Sequence, residues 1–215
     1  MTIYLDGSQH SSDGGGGGGG TSDTMLEDFE RTDPLADYSG TVGDHSVQSN
    51  ISVSGKALHR DVASDKNVYV VRDNPPETIQ AGDTAQVRAY PSTSDYGTNP
   101  QLLFFASHDS NGVDGYDVYY DEGGSQDSSK DLYIVRLDNT SITILNSVTA
   151  AAYTDRFVTI QAQPAADGTH SASLIVDGSV EATVSISADT TYTGGSYGFG
   201  SRRVGSYFDN LKVKA

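Results

Sequence analysis

The chain has 215 residues, no cysteine and a formal net charge of −16. Without cysteine there are no disulfides and no thiolate metal sites. A charge of this size and sign argues against nucleic acid as a partner.

The length suits one large all-β domain, which can bury about 70% of the surface its unfolded form exposes. Aspartate supplies 24 of the 29 acids, and lysine only 5 of the 13 bases. Two readings fit that balance. The carboxylates gather cations, or they keep the protein hydrated in high salt, where self-repulsion is screened. The acids are scattered, and the Asp-rich, Lys-poor balance is similar to that of haloarchaeal proteins, so a halophilic source is expected. The opening Met-Thr-Ile-Tyr-Leu-Asp-Gly has neither the basic nor the apolar region of a signal peptide, so none is expected. No stretch approaches the ~20 apolar residues of a membrane span.

In chain order, residues 2–5 form a candidate short strand. Seven glycines, 14–20, follow it. Poly-glycine cannot recover its backbone entropy by packing and reads as a flexible tether. Residues 1–23 are therefore either an arm or a frayed tail. As an arm, Ile3, Tyr4 and Leu5 add to a sheet edge of a neighbour; as a tail they hold nothing. The domain proper spans 24–215. Residues 25–30 read as its first strand. A strand is expected within 46–59, another over 68–71, and a cleanly alternating one over 85–90. The run Leu102-Leu103-Phe104-Phe105-Ala106 is continuously apolar, so it belongs at the centre of a sheet. Strands over 115–122, 131–138 and 141–145 complete a meander. Residues 148–153 are the one helix-like piece. Four further alternating runs, bounded by Gly, Asp, Asn and Ser, fill 155–215. Such strands must close one sheet against another, because an apolar sheet face cannot stay in water.

At this point the segments resemble a family. "MLEDFE" (25–30), "GYDVYYDE" (115–122), "LYIVRL" (132–137), "RFVTIQAQ" (156–163), "SLIVDGSVEATV" (173–184) and "YFDNLKV" (207–213) follow the order seen in concanavalin A-like lectin/glucanase jelly rolls, including the laminin-G-like branch. The resemblance covers about 25–215. It implies two curved antiparallel sheets, a concave face, and first and last strands side by side.

The glucanases of that superfamily carry a Glu-x-Asp-x-x-Glu strand that aims acids into the cleft. This chain has no such strand. Asp117, Tyr119 and Asp121 share one face of a strand with period two, which serves either an acid–base pair or a solvated outer face. No Gly-x-Ser-x-Gly elbow is present, and the histidines lack metal-ligand spacing. For calcium there are two candidates. Asp109, Asn111 and Asp114 cluster hard oxygen ligands before Gly115, although the spacing departs from an EF-hand and an Asx turn is the simpler reading. Glu30 and Asp209 meet if the first and last strands are neighbours, as in some related carbohydrate-binding jelly rolls. Thirteen tyrosines with no tryptophan offer rings on which sugars stack. Tyr116, Tyr119, Tyr120 and Tyr133 lie on adjacent strands, and alternation turns half of them inward.

The expected protein is a non-enzymatic virion surface component (capsid turret, spike or tail fibre), homo-oligomeric and anchored through its arm to other virion proteins. Its lectin-like domain binds host glycans. The alternatives are a free carbohydrate-binding module and a glycoside hydrolase.

Overall fold

The computed structural model describes residues 23–53, 55–61, 66–92, 98–123, 130–202 and 205–215. The expected strand and contacts of Ile3, Tyr4 and Leu5 lie outside these residues. Fifteen strands are present among them: β1 (Thr24–Glu27), β2 (Tyr38–Gly40), β3 (His45–Gln48), β4 (Ala57–Arg60), β5 (Val68–Arg72), β6 (Thr84–Pro91), β7 (Pro100–Asp109), β8 (Gly112–Asp121), β9 (Asp131–Asp138), β10 (Ser141–Thr149), β11 (Val158–Gln163), β12 (Ser171–Val176), β13 (Ser179–Ser185), β14 (Ser196–Ser201) and β15 (Ser206–Lys214). Among the described residues the helical content is one 3-10 turn, Val42–Asp44.

The strands form two antiparallel sheets packed as a sandwich. One runs β13-β12-β11-β6-β15-β4-β3, with β1 also paired to β15; the other runs β10-β9-β8-β7-β14-β5-β2. β15 is the pivot of the first sheet. One edge pairs with β6, and the other is shared by β4, at Tyr207 and Phe208, and by β1, at Leu211 to Val213. The first and last strands are therefore neighbours.

Strict alternation decides which residues enter the space between the sheets. In β6, Ala85, Val87 and Ala89 are buried and their neighbours are only partly so. In β8, Tyr116, Val118 and Tyr120 join the core. Phe29, Phe199 and Phe208 pack in series with their rings tilted, centroids 5.4 Å apart at each step. The apolar run of β7 is central, as expected, with β10-β9-β8 on one side and β14-β5-β2 on the other.

Three local expectations change. The first strand stops at Glu27, whose carboxylate accepts the Phe29 N–H at 2.9 Å. The chain turns there, with Phe29 at φ 58°, and this drops the ring into the core. The stretch 46–59 holds the ends of two strands, β3 and β4, paired with each other. Residues 148–153 are not helical: Val148 and Thr149 finish β10 and pair with β9, and the rest is irregular chain. Alanine content there is outweighed by the pairing that β9 offers. Among the described residues, no helix is long and apolar enough to cross a membrane.

Candidate functional site

The seven-stranded sheet has an outer face as well as an inner one. Because its strands are in register, outer side chains line up in rows. One row holds Tyr69 of β5, Gly200 of β14, Gln101 of β7, Tyr119 of β8 and Tyr133 of β9. Glycine is required in the middle of it. A Cβ at Gly200 would lie 2.6 Å from Gln101 Oε1 and 2.6 Å from the Tyr69 ring. Its absence lets those two side chains close over β14. The next row is Val71, Gly198, Leu103, Asp117 and Val135. On the other side of the tyrosine row, Asp131 stands directly across from Asp121, and Asn99 Nδ2 donates to Asp121 Oδ1 at 2.7 Å.

The polar groups of this face are buried and only partly paired. Asp117 is 1% exposed, and its Oδ1 has no hydrogen-bond partner among the described residues. Burial drives its carboxyl well above the ordinary range, toward the neutral acid. Burial also raises the phenols of Tyr69 and Tyr119, and the nearby carboxylates add to this. Gln101 Oε1 and Asn99 Oδ1 are buried without a partner among the described residues too, although Gln101 Nε2 donates to Asn67 Oδ1 at 3.2 Å. Tyr119 and Tyr133 stack with centroids 5.3 Å apart and planes 25° apart. The Tyr133 hydroxyl donates to Asp131 Oδ2 at 2.9 Å. An unpaired buried acceptor costs about 1–3 kcal/mol. Several lie just beneath one face, beside the stacked and partly exposed rings of Tyr119 and Tyr133.

Of the sugar-binding candidates, Asp117, Tyr119, Asp121 and Tyr133 share this face. Tyr116 and Tyr120 point the other way. Both are fully buried between the sheets, with hydroxyls on Asp189 O and Ala151 O, each at 2.8 Å. They present no ring face to a ligand. Tyr69, Asn99, Gln101 and Asp131 were not singled out from the sequence. Asp131 carried a signal, since it alternates with Tyr133. Asn99 and Gln101 carried none, because they precede an apolar run in which both faces look buried.

The metal candidates divide. Asp109 Oδ1 accepts the Asn111 N–H at 2.7 Å, forming an Asx turn at the β7–β8 hairpin. Asp114 reaches away, and its Oδ1 accepts the Asn139 N–H at 2.7 Å. Those three do not converge. Glu30 and Asp209 do grip one segment: Asp209 Oδ2 accepts the Val53 N–H at 2.6 Å, and Glu30 Oε1 accepts the Lys56 N–H at 2.5 Å. Among the described residues, no group of three or more Asp, Glu or His side chains is placed to hold a metal.

No family model matches the chain, and no curated protein matches it. Solved structures do match. Carbohydrate-binding module CBM66 from Bacillus subtilis aligns with a TM-score of 0.61 at 11% identity, over 83% of this chain and 96% of that one. The fold is a lectin-like jelly roll. The exoplasmic/lumenal domain of VIP36, in its Ca2+/Man3GlcNAc-bound form, aligns with a TM-score of 0.58 at 12% identity, over 88% and 87%. The CBM2 module of the evolved Dit of Lactobacillus casei BL23 phage J-1 aligns at 0.55 and 9% identity, over 89% and 95%. Of these structural neighbours, the first is a carbohydrate-binding module, the second a domain solved with Ca2+ and Man3GlcNAc bound, and the third a CBM2 module.

Proposed function

We propose that this chain is a non-enzymatic, glycan-binding jelly roll that holds its ligand on the outer face of the seven-stranded sheet. The observation that carries this reading is the set of buried acceptors without partners among the described residues, Asp117 Oδ1, Gln101 Oε1 and Asn99 Oδ1, beside the stacked Tyr119–Tyr133 pair. Sugar hydroxyls donate to such acceptors while the C–H face of a pyranose covers the rings. The ligand-bound state of the VIP36 neighbour supports the same choice.

Glycan-array binding by the full chain tests the reading. Tyr119→Ala with Tyr133→Ala, and separately Gln101→Ala, are expected to lower affinity at least tenfold without changing the fold. Unchanged binding in both, or no binding to any glycan, rejects it. The reading includes calcium at the Glu30–Asp209 edge, supported by the calcium-bound state of VIP36. Repeating the array and a melting curve in EDTA tests that part, and indifference of both removes calcium from the reading.

The biological setting belongs to the same proposal: display on a virion surface or outside the cell, as an oligomer anchored by residues 1–20. A phage Dit module among the structural neighbours supports it. Undiminished incorporation of a 21–215 fragment into purified particles counts against it.

A second reading, glycoside hydrolysis, rests on Asp121 and Asp131. Directly opposed residues on neighbouring strands have Cβ atoms about 5 Å apart, which lets their carboxyl groups approach the ~5–5.5 Å spacing of retaining glycosidases. Asp117 and Asp121, by contrast, are about 13 Å apart along one strand. Reducing ends released by the wild type and lost in Asp131→Asn would support hydrolysis. A glycan bound and recovered intact supports simple binding.

A further inference from the structure

The eight-stranded sheet has an outer face of its own, turned away from the tyrosine row. A groove of ≈ 280 Å³ lies there, lined by Gln86 and Arg88 of β6, Thr159 of β11 and Lys212 of β15, with Asp23 and Val53. Alternation sets Gln86 and Arg88 on this face, because Ala85, Val87 and Ala89 fill the core. Lys212 arrives by a different route. Phe208 of the same strand points into the core, and strict alternation would send Lys212 after it. The pairing with β6 shifts between Asp209 and Lys212, and Asn210 there has φ 52°. The bulge resets the alternation, so Leu211 turns inward and Lys212 outward. Lys212 then stands across from Gln86 and diagonally beside Arg88. Diagonal neighbours are about 7–8 Å apart at the strands, a gap that two long side chains close over one small group.

Both cations are held without a carboxylate. Arg88 Nη1 donates to Thr159 Oγ1 at 3.1 Å, and its guanidinium lies 5.5 Å from the centre of the Phe157 ring. A guanidinium has more donors than that one bond uses. Neither Arg88 nor Lys212 is in an ion pair among the described residues. Asp209, across from Arg88, is fully buried, and its Oδ2 accepts the Val53 N–H at 2.6 Å. The lining thus holds two cations and one exposed acid, Asp23. That reverses the balance of the chain, 13 bases to 29 acids. At ~0.15 M salt the Debye length is about 8 Å, so remote acids are screened while groups touching a guest are not.

We infer that this groove is a second binding site, taking an oxyanion, a carboxylate or sulfate group, between Arg88 and Lys212. The inference does not rest on the glycan reading of the other sheet, since the two sites share no residue. The oxyanion comes either on an acidic sugar or as the free ion.

The test follows the Gln86 side-chain amide and the Arg88 and Lys212 backbone amides of the 15N-labelled full chain. Glucuronate, sulfate or glucose is added at matched ionic strength. Binding through one charged group falls in about the millimolar range. Glucuronate and sulfate are expected to shift these resonances, and glucose at least tenfold less. Tighter binding of glucuronate supports the site with an acidic sugar as its source; equal affinity supports it with the free ion. Lys212→Gln is expected to weaken either anion severalfold and Lys212→Glu at least tenfold, with the fold retained. Arg156→Gln, which removes a cation paired with Asp177 outside the groove, is expected to leave both unchanged. No shift, an equal shift from glucose, or a shift that survives Lys212→Glu in the folded variant overturns the inference. Equal weakening by Arg156→Gln overturns it too, because the effect would then be one of overall charge.

Discussion

Asp117 is a carboxyl that folding keeps from charging. Its native pKa is raised by burial above the unfolded value of about 3.9. Between those two values the native state binds more protons than the unfolded one, so stability contributed by this residue falls as pH rises. The limiting slope is about 1.4 kcal/mol per pH unit. Asp117→Asn removes that dependence. Urea denaturation across the acidic to neutral range is expected to show the variant gaining on the wild type with each step up in pH. A constant difference between the two would mean that Asp117 is ionised in the native protein. The sequence displayed Asp117, Tyr119 and Asp121 on one strand face by period alone. It gave no sign that Asp117 Oδ1 would lack a partner among the described residues, because that follows from Leu103 and Val135 flanking it on β7 and β9.

Strand β14 shows how an element can matter through what it lacks. Its outward positions are Gly198 and Gly200, and its inward ones are Tyr197 and Phe199. A Cβ at Gly198 would lie 2.4 Å from the Val70 carbonyl oxygen, which is backbone and cannot swing away. Gly198→Ala is therefore expected to force β14 from β5 and to cost about 1–3 kcal/mol. A lowered urea midpoint with an unchanged m-value checks this. An unchanged midpoint would mean that the two strands separate freely. The alternation in "GSYGFGS" was legible as a strand. The purpose of its glycines was not, since Tyr69 and Gln101 come from strands about 130 and 100 residues earlier, and only pairing register sets them on either side. The limits of β1 were hidden for a local reason. Glu27 folds back on Phe29 N–H, and the one turn residue in "MLEDFE", Asp28, whose carboxylate accepts the Glu30 N–H at 3.1 Å, is masked by the alternating apolar residues around it.

At the scale of the molecule, the two-sheet sandwich was readable because alternation, turn residues and the absence of helical periodicity agreed throughout. The partition of strands between sheets was less so, since it depends on long-range pairing. Net charge acts here as well. A charge of −16 opposes compaction wherever it is unscreened. Raising KCl from ~0.1 M to ~1 M shortens the Debye length from about 10 Å to about 3 Å. Tm is expected to rise, by about 2–4 °C for each kcal/mol of repulsion relieved in a chain of this size. A Tm that is flat or falls over that interval rejects adaptation to high salt.

The seat of β15 has a further consequence, for the order of assembly. Its nine residues form the spine on which β6, β4 and β1 assemble. Hairpins such as β8–β9 close between neighbours in the chain, whereas β1 finds its mate only across almost the whole described domain. Proteolysis that removes β15 therefore leaves three orphaned edges rather than a shorter but sound protein.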